Sequence, residues 1–291
     1  MRDESAPDIR TAGPRSPGAW TRRRFLAAGG LLGLGTGLDA FGIEPGAVRV
    51  TRTELPVPGL GREFDGLRIA HVTDVHFPGN RRAARHAAAI LARERPEIVV
   101  CTGDLVEHRE ALPLLTGFVR EARGTLATIG IFGNWERRAK IADAELARAY
   151  ADGGATMLQD ARMVLSRGRA RLGIAGLGDA LYQEPSPGPQ VLDPSLSDAD
   201  IWLVHCPAYA DRLPAAIPRL PAALLSGHTH GGQIRLPGWV PYTPVGSGRY
   251  VNGWYRTGRA PLYVSRGVGT VEIEARFCCP PELPIFTLRR A

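Results

Sequence analysis

The chain has 291 residues, 44% of them hydrophobic, with 36 Lys and Arg against 29 Asp and Glu for a formal net charge of +7. That is enough apolar mass for one large α/β core, and nothing indicates a second independent domain. Beyond residue 40, 30 basic residues face 25 acidic ones without a basic block; such dispersed charge reads as a solvated surface and argues against nucleic acid as a partner. Four cysteines without zinc-ribbon spacing offer neither a disulfide framework nor a thiolate metal site.

The first element is a leader. Thr21-Arg22-Arg23-Arg24-Phe25-Leu26 precedes an apolar, glycine-rich stretch from Ala27 to Leu38, and the pair resembles a twin-arginine export signal. A dozen apolar residues fall short of the roughly 20 that a membrane span needs. Residues 1–40 are therefore predicted to be a leader read by the twin-arginine translocase, with the protein ending outside the cytoplasm. Leu38-Asp39-Ala40 is a poor cleavage site, so an uncleaved leader acting as a weak tether, with peripheral membrane contact, stays open. Residues 41–66, with VRVTRTELPVPGL, read as an edge strand or linker before a catalytic domain at 67–291.

LRIAHVTD is the first central strand, and Arg81 to Arg95 reads as a helix that stops before Pro96. EIVVCTGD, a helix in EALPLLTGFVREA, TLATIGIFGN and a second helix from about Arg137 to Tyr150 continue the series. A βαβα order implies parallel strands with right-handed crossovers. After Gly153-Gly154 the short strands ATMLQD, ARMVLS and ARLGIAGL look like the start of a second sheet. Glu184 to Pro194 is a proline-rich loop; IWLVHCP, ALLSGHTH, LYVSRGVG and IFTLRR close the chain. The predicted class is α/β: two mixed β-sheets packed together and flanked by helices, a four-layer αββα sandwich.

Five segments carry chemistry: Asp74-Val75-His76, Gly103-Asp104, Gly133-Asn134-Trp135-Glu136, His205 and Gly227-His228-Thr229-His230. Each ends a predicted strand, which would gather the ligands at one edge of a sheet, where open α/β folds bind. Any one segment is weak, and His205 alone would be an ordinary strand histidine. The ordered set of five carries the argument. Asp, Asn and His without thiolate suit borderline divalent ions such as Mn, Fe or Zn.

In order and spacing these segments resemble the calcineurin-like metallophosphoesterases, with their D-x-H, G-D, G-N-H-[DE], lone His and G-H-x-H pattern. The resemblance runs from about Leu67 to about Arg290, and GHTHGGQIRLPG, LYVSRGVGT and CPPELPIFTL are similar to the exported or membrane-associated bacterial branch of that family. It implies that Asp74, His76, Asp104 and His230 hold one metal while Asp104, Asn134, His205 and His228 hold the other. Asp104 would bridge two ions about 3.5 to 4 Å apart, and a bridging hydroxide would attack phosphorus in line. Asp104, Asn134, Trp135 and His228 are the candidate catalytic group. The implied function is hydrolysis of a phosphodiester or pyrophosphate bond in a phosphorylated small molecule or lipid. The alternative is a metal-binding envelope protein that recognises a phosphorylated ligand with little or no turnover.

Trp135 departs from the family pattern, which carries His there. A histidine so placed is worth about 10²- to 10⁴-fold in rate, whereas indole has one N–H donor and no useful basicity. Substrates with good leaving groups should suffer least. Glu136 reads as a structural acceptor or a substitute acid. Of the other histidines, each is read first as structural: His71 is expected inside its strand and His86 on a surface helix, and for His108, four residues past Asp104, facing the site is the alternative. The segment Pro237 to Tyr255, with Trp239, Tyr242, Arg249, Tyr250 and Trp254, is either a substrate cradle or an aromatic cover on the sheet edge. No cysteine is assigned a catalytic role.

Overall fold

The computed structural model describes residues 35–291, so the paired arginines and most of the apolar stretch behind them lie outside the described residues. Leu38 to Ala291 form one compact unit, which therefore takes in the segment 41–66. Its strands are β1 (Arg49–Val57), β2 (Arg68–Val72), β3 (Ile98–Cys101), β4 (Ala127–Gly130), β5 (Thr156–Met157) and β6 (Ala161–Arg167). They continue with β7 (Ala170–Gly176), β8 (Ala199–Leu203), β9 (Ala223–Ser226), β10 (Gly253–Arg256), β11 (Pro261–Val264) and β12 (Glu282–Arg290).

Two six-stranded sheets result, ordered β1-β12-β2-β3-β4-β5 and β10-β11-β9-β8-β7-β6. Both are mixed. In the first, β2, β3, β4 and β5 run parallel while β12 is antiparallel to β2 and parallel to β1. In the second, β7, β8, β9 and β11 run parallel, with antiparallel β6 and β10 at the edges.

The period-2 alternation of the central strands sorts their side chains into layers. Ile69, Ile98 and Val100 face Ile174, Ile201, Leu203 and Leu225 between the sheets. Ala70, Val72, Val99 and Cys101 face outward. Over that outer face lie α1 (Arg81–Glu94) and α2 (Leu112–Ala122). The Asn80 side chain accepts the Ala83 N–H to start α1, and Arg95 ends it in a left-handed conformation before Pro96. The outer layer on the second sheet is thinner. Short turns such as Pro207–Arg212 place Tyr209 against Trp202, Leu224 and Leu262.

Three sequence expectations are corrected. The helix expected from Arg137 to Tyr150 is two, α3 (Asn134–Arg138) and α4 (Asp143–Asp152). The first begins at the candidate ligand itself, and Lys140, at φ 54°, breaks the run as a left-handed residue does at a helix end. ATMLQD does not open the second sheet: β5 pairs with β4, because a right-handed crossover through α4 returns the chain beside the strand it left. Finally, the ligand-bearing strands do not share one sheet. β2, β3 and β4 belong to the first and β8 and β9 to the second, so the ligands meet where the ends of both sheets converge.

Candidate metal centre

The strand ends reach the site through unusual backbone. Asp74, His76, Asp104, His228 and His230 all have positive φ, between 50° and 75°, a region that costs a non-glycine residue of order 1–3 kcal/mol. Cross-loop hydrogen bonds hold them there. Asp74 N–H donates to the Gly103 carbonyl (3.1 Å), His76 N–H to the Asp104 carbonyl (3.0 Å) and Gly269 N–H to the Asp74 carbonyl (2.6 Å). Gly103, at φ 87°, lies so close to Gly133 that a side chain would strike its backbone. The acids are oriented as well: Asp74 accepts the His228 N–H at 2.9 and 3.0 Å, and Asp104 Oδ1 accepts the Trp135 N–H at 2.7 Å.

Three of the four candidate histidines are anchored by their outer ring nitrogen. His76 Nδ1–H donates to Glu107 (3.1 Å), His205 Nδ1–H to the Thr102 carbonyl (2.7 Å) and His228 Nε2–H to the Val245 carbonyl (2.7 Å). Each then turns a lone pair inward. His76 Nε2 lies 2.9 Å from His230 Nε2, which is 3.6 Å from Asp74 Oδ1. His205 Nε2 lies 2.9 Å from Asn134 Oδ1, 3.1 Å from Asp104 Oδ2 and 3.2 Å from His228 Nδ1.

The ligating atoms of Asp74, His76 and His230 lie within 4.8 Å of one another, as do those of Asp74, Asp104 and His205. Asp104 Oδ2, 3.1 Å from His205 and 3.9 Å from His76, stands between the two groups. All seven predicted ligands are buried. Buried acceptors crowded this closely need positive charge among them, so the donor set fits divalent cations.

The electrostatics agree. Burial alone would lower the His205 pKa, but Asp104 beside it, with Asp74, raises it to about 10. Burial would raise that of Asp104, but His205 holds it down at about 2. Burial, with the His205 charge second, lowers His228 to about 4. Burial likewise drives Cys206 well above the thiol range, so this neighbour of His205 is an inert wall.

Glu136 proves to be a brace. Its Oε1 accepts the Leu105 and Val106 N–H groups and its Oε2 those of Asp104 and Gly133. Burial, with Asp104 next, pushes its pKa up to about 7, yet all four lone-pair positions are occupied, leaving no room for a transferable proton. His71 is fully buried between the sheets, its Nε2 2.7 Å from Thr102 Oγ1. His86 is exposed on α1. His108 is exposed at the head of the Arg109–Ala111 turn and does not line the cleft; Glu107, one residue earlier, contacts His76 instead.

Sequence reasoning missed Glu107, whose signal was a carboxylate three residues past Asp104. It also missed Arg276. That guanidinium is fully buried and donates to the carbonyls of Gly269 (2.6 and 3.0 Å), Arg266 (2.8 Å) and Cys279 (3.0 Å). It thereby ties the 266–279 loop together behind His230.

Asp104, Asn134, Trp135, His228 and His230 open onto a cleft of about 570 Å³. Trp135 is half-buried there, and Arg138, three residues on, lies over its ring at 4.5 Å from the centroid.

A sequence model of the calcineurin-like phosphoesterases matches residues 67–232. The chain is similar to the metallophosphoesterase YkuE of Bacillus subtilis, 30% identical over 288 residues that cover 92% of this chain and 98% of that protein. It is similar to the phosphodiesterase YaeI of Escherichia coli, 26% identical over 279 residues, 92% and 99% of the two chains. Similarity extends to the UDP-2,3-diacylglucosamine pyrophosphatase LpxG of Chlamydia trachomatis, 24% identical over 301 residues, 83% and 89% of the two chains.

Proposed function

Because the chain belongs to the calcineurin-like phosphoesterase family, we propose that it hydrolyses phosphodiester or pyrophosphate bonds with the help of two divalent ions, Mn, Fe or Zn. The observation that carries this reading is the pair of buried donor groups, Asp74 with His76 and His230, and Asn134 with His205 and His228, on either side of Asp104. When bound, the ions would supply an acidified water and polarise the phosphoryl oxygens.

The chain's own part is positioning. Glu107, Thr102 and Val245 fix which nitrogen each histidine presents, the Trp135 amide aims Asp104, and Glu136 braces the loops that carry both. Where the family pattern has His, Trp135 offers an indole N–H and Arg138 a cation at the cleft. Together these two can bind phosphoryl oxygens without delivering a proton, which points to substrates whose leaving oxygen needs none, such as pyrophosphates and aryl esters.

The names of the relatives cover both bond types, diester in YaeI and pyrophosphate in LpxG. Hydrolysis of bis(4-nitrophenyl) phosphate by protein loaded with manganese tests the reading; a fully metallated protein with no turnover would overturn it. That result is what a second reading expects, a protein that recognises a phosphorylated ligand with little turnover, which the Trp135 substitution favours. The resemblance of residues 21–38 to a twin-arginine signal supports a site of action outside the cytoplasm in either case.

A further inference from the structure

The mouth of the metal cleft is apolar where a soluble substrate would call for polarity. Its walls include Leu181, Tyr182, Ile234, Tyr242, Val245 and Ile273, and these are exposed, Val245 at 79% and Tyr242 at 70%. The border extends beyond the cleft itself. Leu236 and Trp239, the latter 60% exposed, close a small loop by exchanging backbone hydrogen bonds of 3.0 Å. On the other flank Ile234 pairs with Phe277, and the Arg276 N–H donates to the Ala40 carbonyl at 2.9 Å. This contact brings exposed Phe41 and Ile43 to the same border. Exposed apolar groups on three separate segments thus line one opening, and those of a fourth, Phe41 and Ile43, follow a backbone contact with its border, a concentration that marks an interaction surface.

We propose that this rim docks on a phospholipid bilayer, so that the cleft faces the membrane and takes phosphoesters from its surface. Two observations select a bilayer over a protein partner. The stretch Ala27–Leu38 is uncharged, and its last residue, Leu38, is exposed and stands two positions before Ala40 in the sequence. A dozen apolar residues cannot span a membrane, and stable anchoring takes a second membrane signal beside one short apolar segment; the rim is such a signal. Its aromatic members, Tyr182, Trp239 and Tyr242, are also the types that favour the water–lipid boundary. Charge at the rim is mixed, with Arg138 on one side and Glu272 and Glu274 flanking Ile273 on the other. Docking therefore rests on apolar insertion and not on anionic lipid. The surface stands apart from the hydrolase reading; only the phosphoester substrate depends on it.

The full-length chain is sedimented with phosphatidylcholine vesicles, with and without phosphatidylglycerol. The same is done with a triple variant carrying Phe41→Ser, Leu236→Ser and Trp239→Ser, none of which lines the cleft. Vesicle partition of the variant should fall by at least about tenfold, turnover of a soluble aryl phosphodiester should be unchanged, and phosphatidylglycerol should make little difference. A variant that sediments like the wild type shows that the leader alone holds the protein and overturns the proposal. So does a wild type that stays in the supernatant, or one that forms a dimer which the triple substitution dissolves, since the rim then belongs to a second copy. If the wild type docks and the variant does not while neither cleaves any phosphoester, docking stands and the hydrolase reading fails.

Discussion

The indole of Trp135 meets the imidazole of His76 edge to face, ring centroids 5.6 Å apart at 87°. Its own ring is covered by the Arg138 guanidinium. Trp135 is therefore packed between a candidate ligand and a cation, with one face unavailable to a substrate ring.

If the site works without a proton donor, Trp135→His should raise turnover most for alkyl phosphodiesters and least for aryl ones. Plotting rate against leaving-group pKa for both proteins checks this. The wild type should give the steeper line; parallel lines would remove the missing-acid explanation.

Asp104→Asn should disturb both donor groups at once, because its carboxylate lies between them. Metal analysis of carefully loaded protein should give close to two ions for the wild type, and phosphodiesterase activity of the variant should fall to background. One ion or none in the wild type would defeat the bimetallic reading.

Glu107→Gln keeps an acceptor for His76 Nδ1–H and removes the charge behind it. Metal affinity should weaken by about 10- to 100-fold, as loss of such outer partners usually does, with little change in thermal stability of the apo-protein. Competition with a chelator measures it.

His71 gives a pH dependence with a definite sign. Burial lowers its pKa from 6.5 to about 3, so the folded state holds it neutral while the unfolded state protonates it below 6.5. Its contribution is complete above pH 6.5 and is lost as pH falls toward 3, at up to about 1.4 kcal/mol per pH unit. Urea titrations between pH 6.5 and 4.5 should show a shallower loss for His71→Gln than for the wild type; identical slopes would mean that His71 does not titrate on unfolding.

Replacing Arg22, Arg23 and Arg24 together by Lys keeps the charge but removes the residue type that a twin-arginine translocase reads. Fractionation should find the variant in the cytoplasm. Export at the wild-type level would assign the leader to another route.

Much of this centre was legible because its chemistry is written in short, glycine-flanked strand ends. Asp74, Asp104, Asn134, His205, His228 and His230 converge in the structure as their spacing led one to expect. What spacing could not reveal was which sheet each strand joins, since register between β4 and β5 or β8 and β9 is decided by pairing across long intervals. Nor could it reveal Glu107 or the Val245 carbonyl, which act through contacts 31 and 17 residues away. The break at Lys140 was hidden too, because the residues on either side have ordinary helical character. Arg276 looked like one surface arginine among many until its guanidinium was found enclosed by carbonyls.

The left-handed backbone at Asp74 and Asp104 also narrows how this centre can drift over evolutionary time. Most side chains that the genetic code can reach from Asp in one step, among them Val, Tyr and Ala, would meet a steric penalty at φ 54° before their lost donor atoms mattered. Asn and Gly tolerate that conformation, and only Asn keeps an oxygen. The easiest path of change thus runs through a weaker, less charged site that still folds, and descendants that have surrendered catalysis would be recognised by Asn at these two positions within an otherwise intact scaffold.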